Sequence, residues 1–137
     1  MKIFFDSSAL AKRYLEEKGS EQVESLCGQA SHVLVSIICL PEILSALNRK
    51  KREGIILPSQ YTLIKQTLLK EFEDFLSCLI TPQVLSKAID LMEKYPLRTL
   101  DALHLACALE IKTDMFVTSD QKQLSAARKL KLKVLDV

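Results

Sequence analysis

The chain has few of the residues that mark a specialised class of protein. It contains no tryptophan, three glycines, four prolines and two histidines among 137 residues. So few glycines and prolines exclude a collagen-like or low-complexity chain, and 48% hydrophobic residues exclude an intrinsically disordered one. No apolar run approaches the roughly 18 residues of a membrane span, and the N-terminus has no signal-peptide pattern. We therefore expect one cytoplasmic globular domain over residues 1–137.

The cysteines and the net charge also carry little functional information. The four cysteines stand singly among apolar neighbours, with no C-x-x-C pair and no histidine at zinc-ligand spacing. We expect all four to be small buried hydrophobic residues. A formal net charge of +2 does not by itself indicate nucleic acid binding, but two basic clusters occur at residues 49–52 and 128–133. Such clusters are typical of solvated helix faces, and phosphate binding is the alternative.

Short apolar segments alternate with helical patterns along the chain. We predict strands at 2–5, 32–36, 115–118 and 134–137, with a short strand or extended link at 75–80. We predict helices at 9–18, 20–29, 40–52, 58–75, 82–95, 97–110 and 121–130, with Ser20 as a helix cap. Strands that alternate with helices are joined by right-handed crossovers. The pattern therefore predicts an α/β fold of three layers, with a central, mainly parallel sheet of four to five strands between helices.

One apolar segment, LRTLDALHLACALE at residues 97–110, carries an acidic residue and a histidine. A helix that is apolar on nearly all sides belongs inside a protein, where a carboxylate is unfavourable, so the presence of an acidic residue in this helix requires an explanation. Arg98, Asp101 and His104 follow one another at i, i+3 and i+6, which predicts one polar stripe that could face a cleft. Two structural alternatives stay open. Asp101 can stabilise the positive end of the helix dipole, and His104 can be an ordinary core residue.

Three further acidic residues come just after predicted strands. Asp6 follows the first strand, Glu42 the second, and Asp120 the strand at 115–118. In open parallel sheets, ligands bind beyond the carboxyl ends of the strands, at the topological switch point. We hypothesise that these three acids and Asp101 meet in one pocket. Each also has a structural alternative as a turn, helix-cap or first-turn residue.

Four carboxylates in one pocket would repel one another. Two of them about 4 Å apart cost roughly 4 kcal/mol at an effective dielectric constant of 20, so the cluster would hold either protons or a cation. Oxygen ligands without cysteine or paired histidines suit Mg²⁺ or Mn²⁺ rather than zinc. Such ions usually serve the attack of an activated water at phosphorus, which indicates a metal-dependent phosphodiesterase.

Four segments together resemble the PIN domain family, and especially the VapC-type ribonuclease toxins of bacterial and archaeal toxin–antitoxin pairs. The segments are FFDSSALAKRY, PEILSALNR, RTLDALHLACAL and FVTSDQKQLSAA. Their order and spacing resemble a compact PIN domain over the whole chain, and DALHLA with a later T-x-D is the most specific pair. One departure is the tail AARKLKLKVLDV, which lacks the glycine often found before the last strand in the family.

The resemblance implies a site, a reaction and partners. The acidic quartet that binds Mg²⁺ or Mn²⁺ would be Asp6, Glu42, Asp101 and Asp120. Ser8 and Thr118 match the family's hydroxyl positions, where they would orient a carboxylate or a metal-bound water. Arg49 and Arg98 are possible phosphate contacts. The reaction would be endonucleolytic hydrolysis of RNA that leaves a 5′-phosphate and a 3′-hydroxyl, by a toxin that forms a homodimer and binds a small antitoxin.

Two other functions compete with this one. A catalytically inactive PIN-fold module that binds RNA or a protein would keep the fold and the basic clusters but would not cleave RNA. A phosphoacceptor receiver domain shares the sheet type, but such a site needs an acidic pair after the first strand. Here two serines follow Asp6.

Overall fold

The structure, a computed structural model that describes residues 1–137, is built on one five-stranded parallel sheet. The strands are β1 (Lys2–Phe5), β2 (His32–Ser36), β3 (Leu76–Cys78), β4 (Met115–Thr118) and β5 (Val134–Asp136). Their spatial order is β3-β2-β1-β4-β5, and every neighbouring pair is parallel. The sheet order reverses direction at β1, so the switch point lies between β1 and β4, where a binding site is expected. Of the two alternatives predicted for residues 75–80, the short strand is correct, and it covers Leu76–Cys78.

Seven helices connect and cover the strands. They are α1 (Ser7–Leu10), α2 (Ser20–Gln29), α3 (Cys39–Arg52), α4 (Pro58–Phe72), α5 (Pro82–Lys94), α6 (Thr99–Glu110) and α7 (Gln121–Lys129). Pro58 and Pro82 occupy the first turns of α4 and α5, where the missing N–H group is harmless. No helix is long and apolar enough to cross a membrane.

Two hydrophobic cores lie on opposite faces of the sheet. In β1, Phe4 belongs to one core, whereas its neighbours Ile3 and Phe5 belong to the other, because side chains alternate along a strand. Phe4 stacks on Phe116 of β4 with ring centroids 5.6 Å apart. Residues of α5, α6 and α7 complete the first core, and residues of α1 to α4 complete the second. The three-layer α/β/α fold predicted from the sequence is confirmed.

Helix α6 is the buried helix that its sequence predicts. Every residue from Ala102 to Ala108 is buried, including His104. The helix begins at Thr99, two residues later than predicted, after Arg98 takes an extended N-cap conformation. Asp101 therefore lies in the first turn, where the helix dipole favours a negative charge.

The predicted helix at 9–18 is wrong in its extent. After α1 the chain makes only a 3-10 turn at Ala11–Arg13. Tertiary hydrogen bonds replace further helix: Ser20 Oγ donates to the Leu15 carbonyl at 3.0 Å, and Lys12 Nζ donates to the Val137 carbonyl at 2.7 Å. Ser20 is consequently the first residue of α2 and not its cap. The cap is Gly19, which has φ 95° and lies so close to Val137 that an added Cβ would be 3.0 Å from its carbonyl carbon.

The C-terminal edge closes without a glycine before β5. Lys131, between α7 and β5, takes φ 62°, a left-handed conformation that glycine adopts at lower cost. β5 then pairs in parallel with β4. The missing glycine therefore changes the strain of this turn and not the topology.

Candidate active site at the carboxyl ends of the strands

Asp6 is the buried centre of the site, with 1% of its surface exposed. It ends β1 and caps α1, because its Oδ1 accepts a hydrogen bond from the backbone N–H of Ala9 at 2.9 Å. Three side chains also donate to its carboxylate: Ser8 Oγ at 2.8 Å, Thr118 Oγ1 at 2.7 Å and Gln123 Nε2 at 2.8 Å. Asp6 therefore caps α1 and lies in the site at the same time, so both of the roles predicted for it fit the same side-chain position.

The β4–α7 connection carries the second carboxylate. Thr118 ends β4, and its hydroxyl accepts from the backbone N–H of Asp120 at 2.9 Å while it donates to Asp6. Asp120 caps α7 by accepting from the Gln123 N–H at 2.9 Å. Ser8 Oγ accepts from the Ser119 N–H at 3.2 Å. The two hydroxyls predicted as site residues therefore orient Asp6 and the loop that presents Asp120.

Gln123 joins the third carboxylate to the first. Its amide Nε2 donates to Asp6 Oδ2 at 2.8 Å and to Asp101 Oδ1 at 3.1 Å. The residue is buried, and its own Oε1 has no hydrogen-bond partner. A neutral amide thus lies between two carboxylates, where its N–H dipoles offset part of their repulsion.

Glu42, the fourth acid, is held by the histidine of α6. His104 Nε2 donates to Glu42 Oε1 in a close ion-pair geometry, and Ser7 Oγ donates to the same oxygen at 2.7 Å. His104 is 2% exposed, and its Nδ1 has no hydrogen-bond partner. His104 is therefore buried, as expected for a core residue. Its ring also holds the Glu42 carboxylate of the site, which the core-residue alternative did not predict.

All four acids line one small cavity of about 90 Å³, together with Ser7, Ser8, His104 and Gln123. A larger open pocket of about 790 Å³ lies beside it. Glu42, Asp101 and Asp120 line both, and Arg98 and Lys122 line the larger pocket. The polar stripe predicted along α6 thus reaches both cavities, with His104 at the inner one and Arg98 at the outer one.

Burial and mutual repulsion dominate the electrostatics. Burial raises the pKa of the Asp6 carboxyl, and its hydrogen bonds and the nearby His104 offset only part of the effect. Burial, then the charge of Asp120, raise the pKa of Asp101. At Glu42 burial acts in the same direction, but the hydrogen bond and charge of His104 outweigh it and lower the pKa. The site is therefore short of positive charge around Asp6 and Asp101.

The donor set fits a hard divalent cation, although the side chains are not yet arranged around one. No three histidine, cysteine, aspartate or glutamate side chains are already spaced to hold a metal ion. The reasons are visible: Glu42 is turned to His104, and the Gln123 amide bridges Asp6 and Asp101. A cation would offset the burial and the repulsion by Asp120 that raise the Asp101 pKa, and oxygen ligands suit Mg²⁺ or Mn²⁺.

Some site residues were predicted and others were not. Arg98 lines the larger pocket, but Arg49 lines neither cavity, so its predicted phosphate contact gains no support here. Gln123 was missed because Asp-x-x-Gln at a helix start also fits a capping box, which predicts a purely local role. The specific contacts of Ser7 could not be assigned from sequence. Three cysteines are buried as expected, but Cys27 is only partly buried, which corrects that prediction.

Comparison with known proteins agrees with this architecture. Residues 3–129 match the model of the PIN domain family. The chain therefore belongs to the PIN domain family.

Individual relatives extend the comparison. Ribonuclease VapC3 of Pyrobaculum aerophilum is 28% identical over 114 residues, which cover 81% of this chain and 84% of that protein. A toxin–antitoxin complex from Klebsiella pneumoniae contains a chain with a TM-score of 0.71 at 17% identity, covering 98% of this chain and 99% of that one. VapC20 of Mycobacterium tuberculosis, described as a sarcin-ricin loop cleaving toxin, gives a TM-score of 0.70 at 16% identity, covering 90% and 94%. At these identities the structures support the fold alone.

Proposed function

We propose that this protein is a metal-dependent endoribonuclease and the toxin of a type II toxin–antitoxin pair, active in the cytoplasm. The observation that carries the proposal is the convergence of Asp6, Glu42, Asp101 and Asp120 on one cavity at the switch point of a PIN-domain sheet. A purely structural role for all four acids would not explain why they lie together at an energetic cost. The similarity to Ribonuclease VapC3 supports RNA as the substrate.

Asp6, Asp101 and Asp120 would hold Mg²⁺ or Mn²⁺, with Glu42 as the fourth acid. The bound ion would supply a nucleophilic water of lowered pKa and would stabilise charge on the phosphate. The water oxygen would bond to phosphorus as the bond to the 3′ oxygen breaks. A proton would pass to that oxygen, which leaves a 3′-hydroxyl and a 5′-phosphate.

The remaining residues of the site would position groups. Ser8 and Thr118 hydrogen-bond to the Asp6 carboxylate and fix its orientation. His104 and Ser7 hold Glu42. Arg98 and Lys122, on the wall of the larger pocket, would bind phosphate oxygens of the RNA as it crosses the acidic centre.

Incubation of the purified protein with total RNA tests the proposal. We expect discrete products with Mg²⁺ or Mn²⁺, none with a chelator, and 5′-phosphate ends. Asp6→Asn or Asp101→Asn should lower cleavage at least about a hundredfold, because even the loss of a residue that only supports a metal ligand costs ten- to a hundredfold. Asp90→Asn, the same substitution on the exposed face of α5, is the matched control and should cleave normally. Full cleavage by Asp101→Asn would refute the assignment. RNA binding without cleavage at any metal concentration would instead identify an inactive module.

A small antitoxin is the proposed protein partner. The similarity to a chain of the Klebsiella pneumoniae toxin–antitoxin complex supports it. We expect the product of a short reading frame beside this gene to co-purify with the protein and to block RNA cleavage. An adjacent short protein that neither binds nor inhibits would contradict this partner.

A homodimer is the proposed assembly. Three apolar side chains on and just before α5 are strongly exposed: Leu79 at 62%, Leu85 at 46% and Ile89 at 52%. Leu85 and Ile89 are four residues apart, so they lie on one face of the helix. Light scattering should give twice the chain mass, and Ile89→Lys should give the single-chain mass with an unchanged far-UV spectrum. A wild-type monomer at micromolar concentration would refute this assembly.

A further inference from the structure

A second cavity continues the acidic pocket along helix α7. It has a volume of about 220 Å³, and Gln121 and Lys122 line both it and the 790 Å³ pocket. Its other walls include Tyr95 and Pro96, which follow α5, and Lys129 at the end of α7. The two spaces therefore adjoin each other at Gln121 and Lys122, and together we call them the groove.

The charge of this groove changes sign along its length. Carboxylates line the end beside Asp101, whereas the 220 Å³ cavity is lined by Lys122 and Lys129 and by no acidic residue. The two lysines are seven residues apart in α7, so they share one face and are about 10.5 Å apart along the axis. A strand of linked phosphates fits this arrangement, because Lys122 lines the pocket of the acidic centre and Lys129 lies farther along the same face of α7.

Tyr95 provides an aromatic wall in the basic part of the groove. Its partly buried ring packs against the core while it lines the cavity, and Lys129 Nζ lies 5.8 Å from the ring centroid. Backbone hydrogen bonds from Tyr95 N to the Leu91 carbonyl and from Leu97 N to the Tyr95 carbonyl, both under 3 Å, fix its main chain. The phenol hydroxyl makes no hydrogen bond within the chain. A rigid ring beside cations is the arrangement on which unpaired bases stack.

We propose that the Tyr95–Lys129 cavity is a base-binding subsite, in which one unpaired RNA base next to the cleaved phosphodiester stacks on Tyr95 while Lys122 and Lys129 bind phosphates. The inference rests on the proposed ribonuclease function and adds a substrate class to it. Because a base inside an A-form duplex must first be unpaired and unstacked, which costs a few kcal/mol, the subsite favours single-stranded or looped RNA.

Binding measurements test the subsite without relying on cleavage. Fluorescence anisotropy would follow short single-stranded RNAs, each with one abasic nucleotide at a different position, in an Asp101→Asn background. At one position the abasic change should weaken binding about 5- to 150-fold. Tyr95→Leu should weaken binding of the intact RNA by a similar factor and should then make that abasic change nearly neutral. This coupling is what a structural role for Tyr95 would not produce.

Matched variants separate stacking from folding and from charge. Tyr95→Phe keeps the ring and should behave as the parent does. Lys129→Gln should weaken binding and reduce the salt dependence by about one phosphate contact. Lys51→Gln removes a lysine from another lysine–tyrosine pair, in which Lys51 Nζ lies 4.2 Å from the Tyr61 ring centroid, and should leave the abasic coupling unchanged.

Two results would overturn the subsite. One is an additive effect of Tyr95→Leu and the abasic change at every position. The other is unchanged RNA affinity in both Tyr95→Leu and Lys129→Gln. If Tyr95→Leu does not fold, Lys129→Gln and Tyr95→Phe still test the subsite. Phosphate binding by Lys129 would be refuted if Lys129→Gln had the same RNA affinity, salt dependence and response to abasic positions as the parent. If the protein binds RNA with this coupling but wild type never cleaves, the endonuclease proposal fails while the subsite stands.

Discussion

Asp101→Asn should stabilise the metal-free protein while it abolishes activity. The asparagine keeps the Oδ1 acceptor that receives Gln123 Nε2 at 3.1 Å, and it removes one charge that Asp120 and Asp6 repel. Two charges 4 Å apart repel by about 4 kcal/mol at an effective dielectric constant of 20. Because Asp101 is only partly buried, solvent screens most of this repulsion, and the helix dipole favours the lost charge by about 0.3–1 kcal/mol, so we expect a net gain of about 1 kcal/mol. For a chain of this size that is about 4 °C in Tm.

The assay is thermal unfolding with chelator and with Mg²⁺, in parallel with RNA cleavage. With chelator the variant should melt higher than wild type. With Mg²⁺ at ten times its dissociation constant, wild type should gain about 1.4 kcal/mol of stability and the variant much less. The difference in Tm between the two proteins should therefore shrink or reverse. Asp90→Asn should change neither melt by more than about 0.5 kcal/mol. A variant that is less stable than wild type with chelator, or that retains full Mg²⁺ stabilisation, would refute the reasoning.

The pH dependence of the same pair gives an independent check. Burial and the charge of Asp120 raise the folded pKa of Asp101 above its usual 3.8. A raised carboxyl pKa means that the favourable contribution of the protonated group is complete below about 3.8 and is lost as pH rises through the folded pKa. The Tm advantage of Asp101→Asn should therefore be largest at pH 7 and should disappear near pH 4. A constant difference between pH 4 and pH 7 would contradict the assigned cause.

Three further predictions concern other groups. His104→Gln should raise the pKa of the Glu42 carboxyl in the metal-free protein, because it removes the His104 hydrogen bond and charge that lower this pKa. A pH titration of the carboxyl ¹³C chemical shifts measures the Glu42 pKa, and an unchanged value would contradict the role of His104. Lys131→Gly should stabilise the fold by up to about 1 kcal/mol by relieving φ 62°, whereas the same change at the nearby Lys133 should not. Burial raises the pKa of Cys27 from 9.0 to about 11, so a thiol reagent at pH 8 should label it roughly tenfold more slowly than a free thiol, and equal rates would contradict the burial.

Local sequence was enough to place four of the five strands, and it placed the acids after strand ends or in a first helical turn. The β1 sequence KIFF is a short apolar run, and its alternate side chains fill two different cores, as a strand between two helical layers requires. Asp6 directly follows β1, and Asp120 is two residues after the end of β4, so a parallel sheet alone brings them to one edge. α6 is apolar on nearly all sides, which predicts its burial, and Asp101 lies in its first turn.

Contacts between distant segments decided the rest. α1 ends early, and Lys12 in the turn that follows donates to the Val137 carbonyl, 125 residues away, a partner that no local pattern reports. Gln123 and His104 are separated by 117 and 62 residues from the carboxylates of Asp6 and Glu42 that they hold. Tyr95 became part of a groove only because α5 ends beside α7.

The sequence by itself determined the layer architecture, the positions of the four acids along the chain and the hydrophobic faces, because periodicity and strand-end position are local properties. Only the tertiary structure decided which groups orient those acids, that Glu42 is paired with His104, and that a basic, aromatic-walled cavity adjoins the acidic one. The physical reason is that hydrogen bonds, burial and charge repulsion depend on distances in space, and the chain brings those atoms together only when it is folded.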